Sequence, residues 1–118
     1  MPGDIKERTL DFAIRIVRLA DKMPNSQASM IITKQLIRSG TSIGANVEEA
    51  NAAPTRKDFA YRLNVALCEA RETKYWLSII RAVGYTASVE VNSLFQECEE
   101  LCKILGAIVS TARGKRIH

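Results

Sequence analysis

The feature that most constrains the fold is a helical spacing of apolar residues that runs along nearly the whole chain. Apolar and small residues recur at alternating steps of four and three. The pattern breaks at only three places: Met23–Ser26, Asn51–Thr55 and Gly84–Tyr85. Proline or glycine at each break is typical of a helix end, and no stretch of useful length alternates with the period of a strand. The sequence therefore predicts helices at residues 4–22, 26–50, 56–83 and 87–112, with a frayed tail at 113–118.

Helices of this length joined by short connections pack against their neighbours in antiparallel order. The predicted fold class is all-α, an antiparallel up-down-up-down four-helix bundle, with residues 1–118 forming one domain. A chain of 118 residues with 47% apolar and 25% charged residues is long enough to bury a core. The absence of a long apolar run and of a secretory signal, together with an odd number of cysteines, predicts a cytoplasmic protein without a membrane span.

Several residues at the breaks are suited to helix ends. Ser26 is expected to cap the second helix and Thr55 the third, because a hydroxyl oxygen can accept a free backbone N–H of the first turn. Gly84 is expected to end the third helix, since glycine readily adopts the left-handed conformation. Thr86 or Ser88 is expected to start the fourth.

The stretch Arg38–Ala50 reads Arg-Ser-Gly-Thr-Ser-Ile-Gly-Ala-Asn-Val-Glu-Glu-Ala and interrupts this regular pattern. Gly40 and Gly44 each cost a helix about 1 kcal/mol relative to alanine, which indicates close approach of another helix or of a ligand. No Lys-Ser/Thr follows the glycines and no strand precedes them, so a phosphate-binding loop is disfavoured. We therefore predict a packing notch, with Ser39 and Asn46 as buried polar groups that need hydrogen bonds.

The residues offer little support for catalysis or metal binding. Cys98 and Cys102 lie one helical turn apart, but zinc needs about four ligands and the only histidine is His118. The cysteines are interpreted as small buried thiols. A serine or cysteine nucleophile needs a positioned base, and the chain has no internal histidine and no Glu-x-x-His pair for a di-metal site. The sequence predicts no enzymatic activity, no metal and no cofactor.

The basic residues are the best candidates for a binding surface. Four pairs at i,i+4 predict solvated ion pairs, namely Asp4–Arg8, Asp11–Arg15, Asp58–Arg62 and Glu99–Lys103. Lys34 and Arg38 differ, because no Asp or Glu occurs from Lys22 through Val47. The residues predicted to contact nucleic-acid phosphates are Lys34, Arg38, Arg56, Lys57 and Arg62. A dispersed, solubilising charge is the alternative interpretation, and the sequence alone does not decide between them.

The aromatic residues are few and concentrate on or just after the third predicted helix, at Phe59, Tyr61, Tyr75, Trp76 and Tyr85. Such rings can stack on nucleic-acid bases. Packing at a helix or subunit interface is the favoured interpretation.

Taken together, Arg38–Ala50, Asp58-Phe59, Leu63-Asn-Val-Ala-Leu67 and Glu72-Thr-Lys-Tyr-Trp-Leu77 resemble the four-helix-bundle family of bacterial 23S rRNA intervening-sequence proteins, also called the S23 ribosomal protein family. That family is related to the accessory proteins of diversity-generating retroelements. The resemblance implies a ring-shaped homopentamer with a positively charged surface for RNA or DNA and no enzymatic role. In retroelement members, it implies a reverse transcriptase as partner. A protein-interaction scaffold without nucleic-acid affinity is the alternative.

Overall fold

The computed structural model describes residues 3–114, with side chains from Ile5 onward, and this part of the chain contains four α-helices and no strand. The helices are α1 (Gly3–Ala20), α2 (Gln27–Asn51), α3 (Arg56–Val83) and α4 (Ser88–Ala112). Each helix packs on the next and α1 packs on α4, whereas the pairs α1–α3 and α2–α4 lie diagonally. The predicted antiparallel four-helix bundle is confirmed.

The helix ends lie within two residues of the expected positions. Arg113 and Gly114 form a turn after α4, and the rest of the predicted frayed tail, residues 115–118, lies outside the described residues. Across residues 3–114, no helix is long and apolar enough to cross a membrane.

Local hydrogen bonds explain where α2 and α3 begin and where α3 ends. Ser26 Oγ accepts the Ser29 N–H at 3.2 Å, and Thr55 Oγ1 accepts the Asp58 N–H at 3.1 Å. Gly84 has a φ of 70° and donates its N–H to Ile80 O at 3.0 Å. These three caps are confirmed.

The fourth helix starts at Ser88, one of the two residues expected to start it. Ala87 occupies the N-cap position of this helix, and no side-chain cap hydrogen bond forms there. Neither Thr86 nor Ser88 lies one position before the first helical residue, which is where a hydroxyl caps.

The core is a continuous set of large apolar side chains contributed by all four helices. The largest fully buried side chains are Ile5, Phe12, Ile16, Leu19, Leu36, Ile43, Leu63, Leu77, Ile80, Leu94, Leu101 and Leu105. They follow the four-three spacing of the sequence, and full burial of one such side chain stabilises the fold by about 1.5–3 kcal/mol.

The two glycines of α2 form the predicted packing notch against α1. A Cβ at Gly40 would lie 3.0 Å from Cγ1 and Cγ2 of Ile16, which is fully buried. A Cβ at Gly44 would lie 3.3 Å from the backbone oxygen of Thr9. The notch is therefore confirmed, and its function is to let two helix backbones approach closely.

The predicted polar group in the core is also present. Ser39 and Thr73 are both fully buried, and their hydroxyl oxygens lie 2.9 Å apart across the α2–α3 contact. Asn46 is only half-buried rather than buried, and its Nδ2 donates to Ser42 O at 2.9 Å. The Ser39–Thr73 contact joins α2 to α3 within the core, and each hydroxyl also lies near a carbonyl oxygen of its own helix, Leu36 O at 3.5 Å and Glu69 O at 2.7 Å.

Candidate nucleic-acid interface

Arg38 was interpreted as an unpaired cation, and the structure shows that this is wrong. Its guanidinium lies against two carboxylates of α3, with Nη1 3.2 Å from Glu69 Oε2 and Nη2 in contact with Glu72 Oε2. Gln35 Oε1 accepts a further hydrogen bond from Nε. The acids come from the neighbouring helix, so a search along α2 alone does not find them. Two carboxylates neutralise this guanidinium and reduce its attraction for a phosphate.

Glu72 is a shared acceptor in this cluster. It accepts the Trp76 Nε1–H at 3.0 Å as well as the Arg38 guanidinium. The hydrogen bond from Trp76, and then the contact with Arg38, lower the pKa of Glu72 below its ordinary value. Hydrogen bonding to Glu72 correspondingly raises the pKa of Arg38.

Replacing Glu72 by glutamine should therefore make the free energy of unfolding depend less on pH. A carboxylate whose pKa is lowered by folding stabilises the native state above its unfolded pKa, and this contribution is lost as pH falls through the folded pKa. Since the side chains of Arg38 and Glu72 are 46% and 35% exposed, we expect the ionised Glu72 to contribute at most about 1 kcal/mol to the free energy of unfolding. Urea unfolding of both proteins should show that difference at pH 7 and none at about pH 2. An equal difference at both pH values would contradict the ionic contribution.

Arg56 has a structural role at the end of the bundle. Its Nε donates to Ala112 O at 2.8 Å and its Nη2 to Thr111 O at 3.1 Å. These carbonyls belong to the last turn of α4, where the helix leaves its acceptors free and its dipole favours a cation. Arg56 thus ties the start of α3 to the end of α4.

A basic groove lies beside this contact. It has a volume of about 510 Å³ and is lined by Arg56, Lys57, Ala60, Tyr61, Ala112 and Arg113. We call this set of six residues the basic groove. No carboxylate lines it, and neither Lys57 nor Arg113 makes an ion pair within residues 3–114.

Arg62 borders the groove without its expected partner. The predicted ion pair with Asp58 does not form, and the Arg62 guanidinium instead lies 5.7 Å from the centroid of the Tyr61 ring.

Of the other predicted i,i+4 pairs, Glu99–Lys103 is replaced by Lys74–Glu99 and Glu100–Lys103. Arg15 donates to Ser93 at 2.7 Å rather than pairing with Asp11. The pair Asp4–Arg8 falls on a side chain outside the described ones, and Arg8 binds Glu97 of α4 at 2.6 Å.

The five predicted phosphate contacts do not form one surface. Lys34 lies near the α1–α2 connection, where it lines a second groove together with Met23 and Pro24. Arg56, Lys57 and the end of α4 lie at the opposite end of the bundle, whose long dimension is 45 Å. Since α2 runs away from its start for 25 residues before α3 begins, Lys34 and Lys57 cannot contact the same phosphate.

Arg113 and Tyr61 are the candidate site residues that sequence reasoning missed. The sequence predicts a frayed tail that includes Arg113, and it favours packing at an interface for Tyr61. The antiparallel order of the helices contains the necessary signal, because the end of α4 must lie beside the start of α3.

The cysteines do not form a metal centre in the described part of the chain. Cys98 is buried and its Sγ lies 3.1 Å from Ala70 O, Cys102 is half-buried, and Cys68 is exposed rather than buried as expected. Hydrogen bonding with Cys102 and burial raise the pKa of Cys98. No group of three or more potential metal ligands occurs among these residues.

An exposed apolar surface runs along the outer side of α1 and α2. Leu10, Ile14 and Val17 are exposed on α1 at spacings of four and three, while Ile37 and Ala45 of α2 line the adjoining grooves. We call these five residues the α1–α2 face. Large apolar side chains exposed along one side of a helix are typical of a protein–protein contact.

A comparison with known families identifies the chain. The family model described as 23S rRNA-intervening sequence protein matches residues 3–107. The chain belongs to this family. A crystal structure of a protein of unknown function from the S23 ribosomal protein family of Bacteroides thetaiotaomicron VPI-5482 has 42% sequence identity to it. That structure matches with a TM-score of 0.83, over 89% of this chain and 97% of the other. No curated protein matches at a significant level.

Residues from two of the stretches that carry the sequence resemblance meet in three dimensions. Ser39 of the glycine-containing stretch lies against Thr73, and Arg38 contacts Glu72, which also accepts the Trp76 N–H. These residues thus contribute to the α2–α3 interface, and Gly40 and Gly44 form the notch for α1. These residues hold the fold, and they are not the groups most available for phosphate binding.

Proposed function

We propose that this 23S rRNA-intervening sequence protein is a cytoplasmic, non-enzymatic, homo-oligomeric protein that binds RNA or DNA at the basic groove. The observation that carries the proposal is the grouping of Arg56, Lys57 and Arg113 around one open groove without a carboxylate in its lining. Uncompensated cations of this kind attract phosphates and release their counterions. The net charge of +4 also favours the attraction of anionic phosphates.

The structure changes which of the predicted residues we favour. Lys57 and Arg62 keep their candidate roles, because neither makes an ion pair within residues 3–114. Arg113 joins them as a lining residue of the groove. Arg56 contributes charge while it is held by α4, which orients it at the groove. Lys34 and Arg38 are less favoured, since they lie away from the groove and Arg38 is neutralised.

Removing two of these charges should weaken binding in a salt-dependent manner. In the variant Lys57→Gln with Arg62→Gln, the plot of log affinity against log salt concentration should become less steep. The magnitude of its negative slope should decrease by about 1.5, since each lost phosphate contact removes about 0.7–0.9. Fluorescence anisotropy of a labelled 20-nucleotide RNA across salt concentrations measures this slope. The matched control is Lys34→Gln with Arg38→Gln, which removes the same charge away from the groove and should change the slope by much less.

Two results would contradict the proposal. If the wild-type protein binds no RNA or DNA at low salt, the nucleic-acid function fails. If both double variants lower the slope equally, the net charge rather than the basic groove attracts the RNA. Circular dichroism of each variant establishes that the helices are intact.

Self-association is the second part of the proposal, and the α1–α2 face supports it. Leu10, Ile14 and Val17 present apolar area to solvent along about two turns of α1. A second copy of the same chain is the proposed occupant, and the family resemblance points to a pentameric ring. In such a ring the basic grooves would be repeated around one assembly, which increases the apparent affinity for a long strand.

A protein-interaction scaffold is the alternative function, and the same α1–α2 face favours it. A reverse transcriptase is a candidate partner if the gene lies in a retroelement. This alternative predicts that the protein assembles but binds RNA with no dependence on salt or does not bind it at all. The RNA titration therefore separates the two functions.

A further inference from the structure

We propose that the basic groove accepts a single strand, with one unstacked base lying on the ring of Tyr61. The inference depends on the proposed nucleic-acid function and specifies the form of its ligand. It assigns recognition of the phosphates to Lys57 and Arg113 and recognition of a base to Tyr61.

Tyr61 is placed where a base adjoining a bound phosphate would be. The ring lines the groove together with Arg56, Lys57 and Arg113, and 60% of the residue is exposed. The Arg62 guanidinium lies over the ring at 5.7 Å from its centroid, so a cation and an aromatic ring are in contact beside the groove. Bases stack on both of these planar groups.

The exposure of Tyr61 has no structural explanation within the described residues. Its ring pairs with no other aromatic ring, and its hydroxyl makes no hydrogen bond in this part of the chain. Tyr75, which lies on the same helix and is 61% exposed, packs edge-on against Trp76 at a centroid distance of 5.3 Å. Tyr75 thus stabilises its neighbour, whereas Tyr61 presents its ring to the groove.

The position of the ring favours a single strand over a duplex. In a duplex both faces of an internal base are covered by neighbouring bases, so an exposed tyrosine ring has no base face to contact. In a single strand every base has an accessible face, and stacking on an aromatic ring is tolerant of sequence. The groove is also confined to one end of a bundle whose smaller dimensions are 28 and 21 Å. It can therefore hold a few nucleotides and not a full helical turn of duplex.

The experiment compares two tyrosines of equal exposure on the same helix. We would measure anisotropy of a labelled 12-nucleotide RNA, alone and annealed to its complement, with wild type, Tyr61→Ala, Tyr75→Ala and Tyr61→Phe. We expect Tyr61→Ala to weaken single-strand binding about tenfold, and duplex binding less than twofold. Tyr61→Phe keeps the ring and should bind like wild type. Tyr75→Ala should leave both affinities unchanged.

Other results would refute either the stacking role of Tyr61 or the proposed nucleic-acid function. Salt-dependent binding of the wild type with no effect of Tyr61→Ala refutes the stacking role while the proposed function stands. The stacking role is also refuted if Tyr61→Ala lowers the affinities for single strand and duplex equally, or if Tyr61→Ala and Tyr75→Ala lower the single-strand affinity equally. In either case the loss would not depend on a base that stacks on the Tyr61 ring. Absence of any salt-dependent binding by the wild type refutes both proposals.

Discussion

Replacing Gly40 by leucine is expected to lower the free energy of unfolding by about 2–3 kcal/mol, because the notch between α1 and α2 has no space for a side chain. The first added atom would already lie 3.0 Å from Ile16, which is fully buried and surrounded by the core. Three further carbon atoms force either Ile16 out of its position or α1 away from α2. The gain in helix propensity on losing glycine, about 1 kcal/mol, offsets only part of this cost.

Gly106 of α4 provides the matched control, because a Cβ at this position would meet nothing within 4 Å. Gly106→Ala should raise the free energy of unfolding by about 0.5–1 kcal/mol, and Gly106→Leu should not destabilise the protein. Urea unfolding followed by circular dichroism measures all three variants. Equal effects of leucine at Gly40 and at Gly106 would show that the notch does not limit the approach of α1.

Placing two charges on the α1–α2 face is expected to convert the proposed oligomer into a monomer of 13.1 kDa. In Leu10→Glu with Ile14→Glu, each interface would have to bury carboxylates without partners, and the cost of several kcal/mol per buried charge exceeds the apolar contribution that it replaces. Both side chains are already exposed in the single chain, so its fold should be retained. Light scattering coupled to size-exclusion chromatography gives the mass of both proteins.

The control for this prediction introduces the same two charges elsewhere. Val83 and Val89 are exposed apolar residues near the α3–α4 connection, away from the α1–α2 face. Val83→Glu with Val89→Glu should leave the mass unchanged. A wild-type protein that is monomeric at micromolar concentration would refute self-association, and a loss of mass in the control alone would place the interface at the α3–α4 connection.

Much of the fold could be predicted because its determinants are local in sequence. The four-three spacing identifies the core residues, and Ser26, Thr55 and Gly84 act on backbone groups within one helical turn. The notch could also be predicted, since Gly40 and Gly44 have a cost within any helix that only close packing explains. The start of α4 at Ser88 could be predicted in the same way, although no side chain caps this helix.

The charged surface was predicted less well. The expectation that Arg38 is free came from the absence of acids in its own helix, but Glu69 and Glu72 reach it from α3. Likewise, Glu99 pairs with Lys74 of another helix rather than with Lys103. Long side chains of adjacent helices meet as readily as those one turn apart, and spacing along one helix does not describe these contacts.

The antiparallel bundle of four helices and the close α1–α2 contact follow from the amino-acid sequence, because apolar periodicity, helix caps and glycine act over short distances along the chain. Which cations are neutralised and which are available depends on how the helices pack. Arg38 became part of the α2–α3 contact, while Lys57, Arg62 and Arg113 were brought to one end beside Tyr61. The physical reason is that electrostatic attraction depends on distances between helices, and these distances are set when the whole core packs.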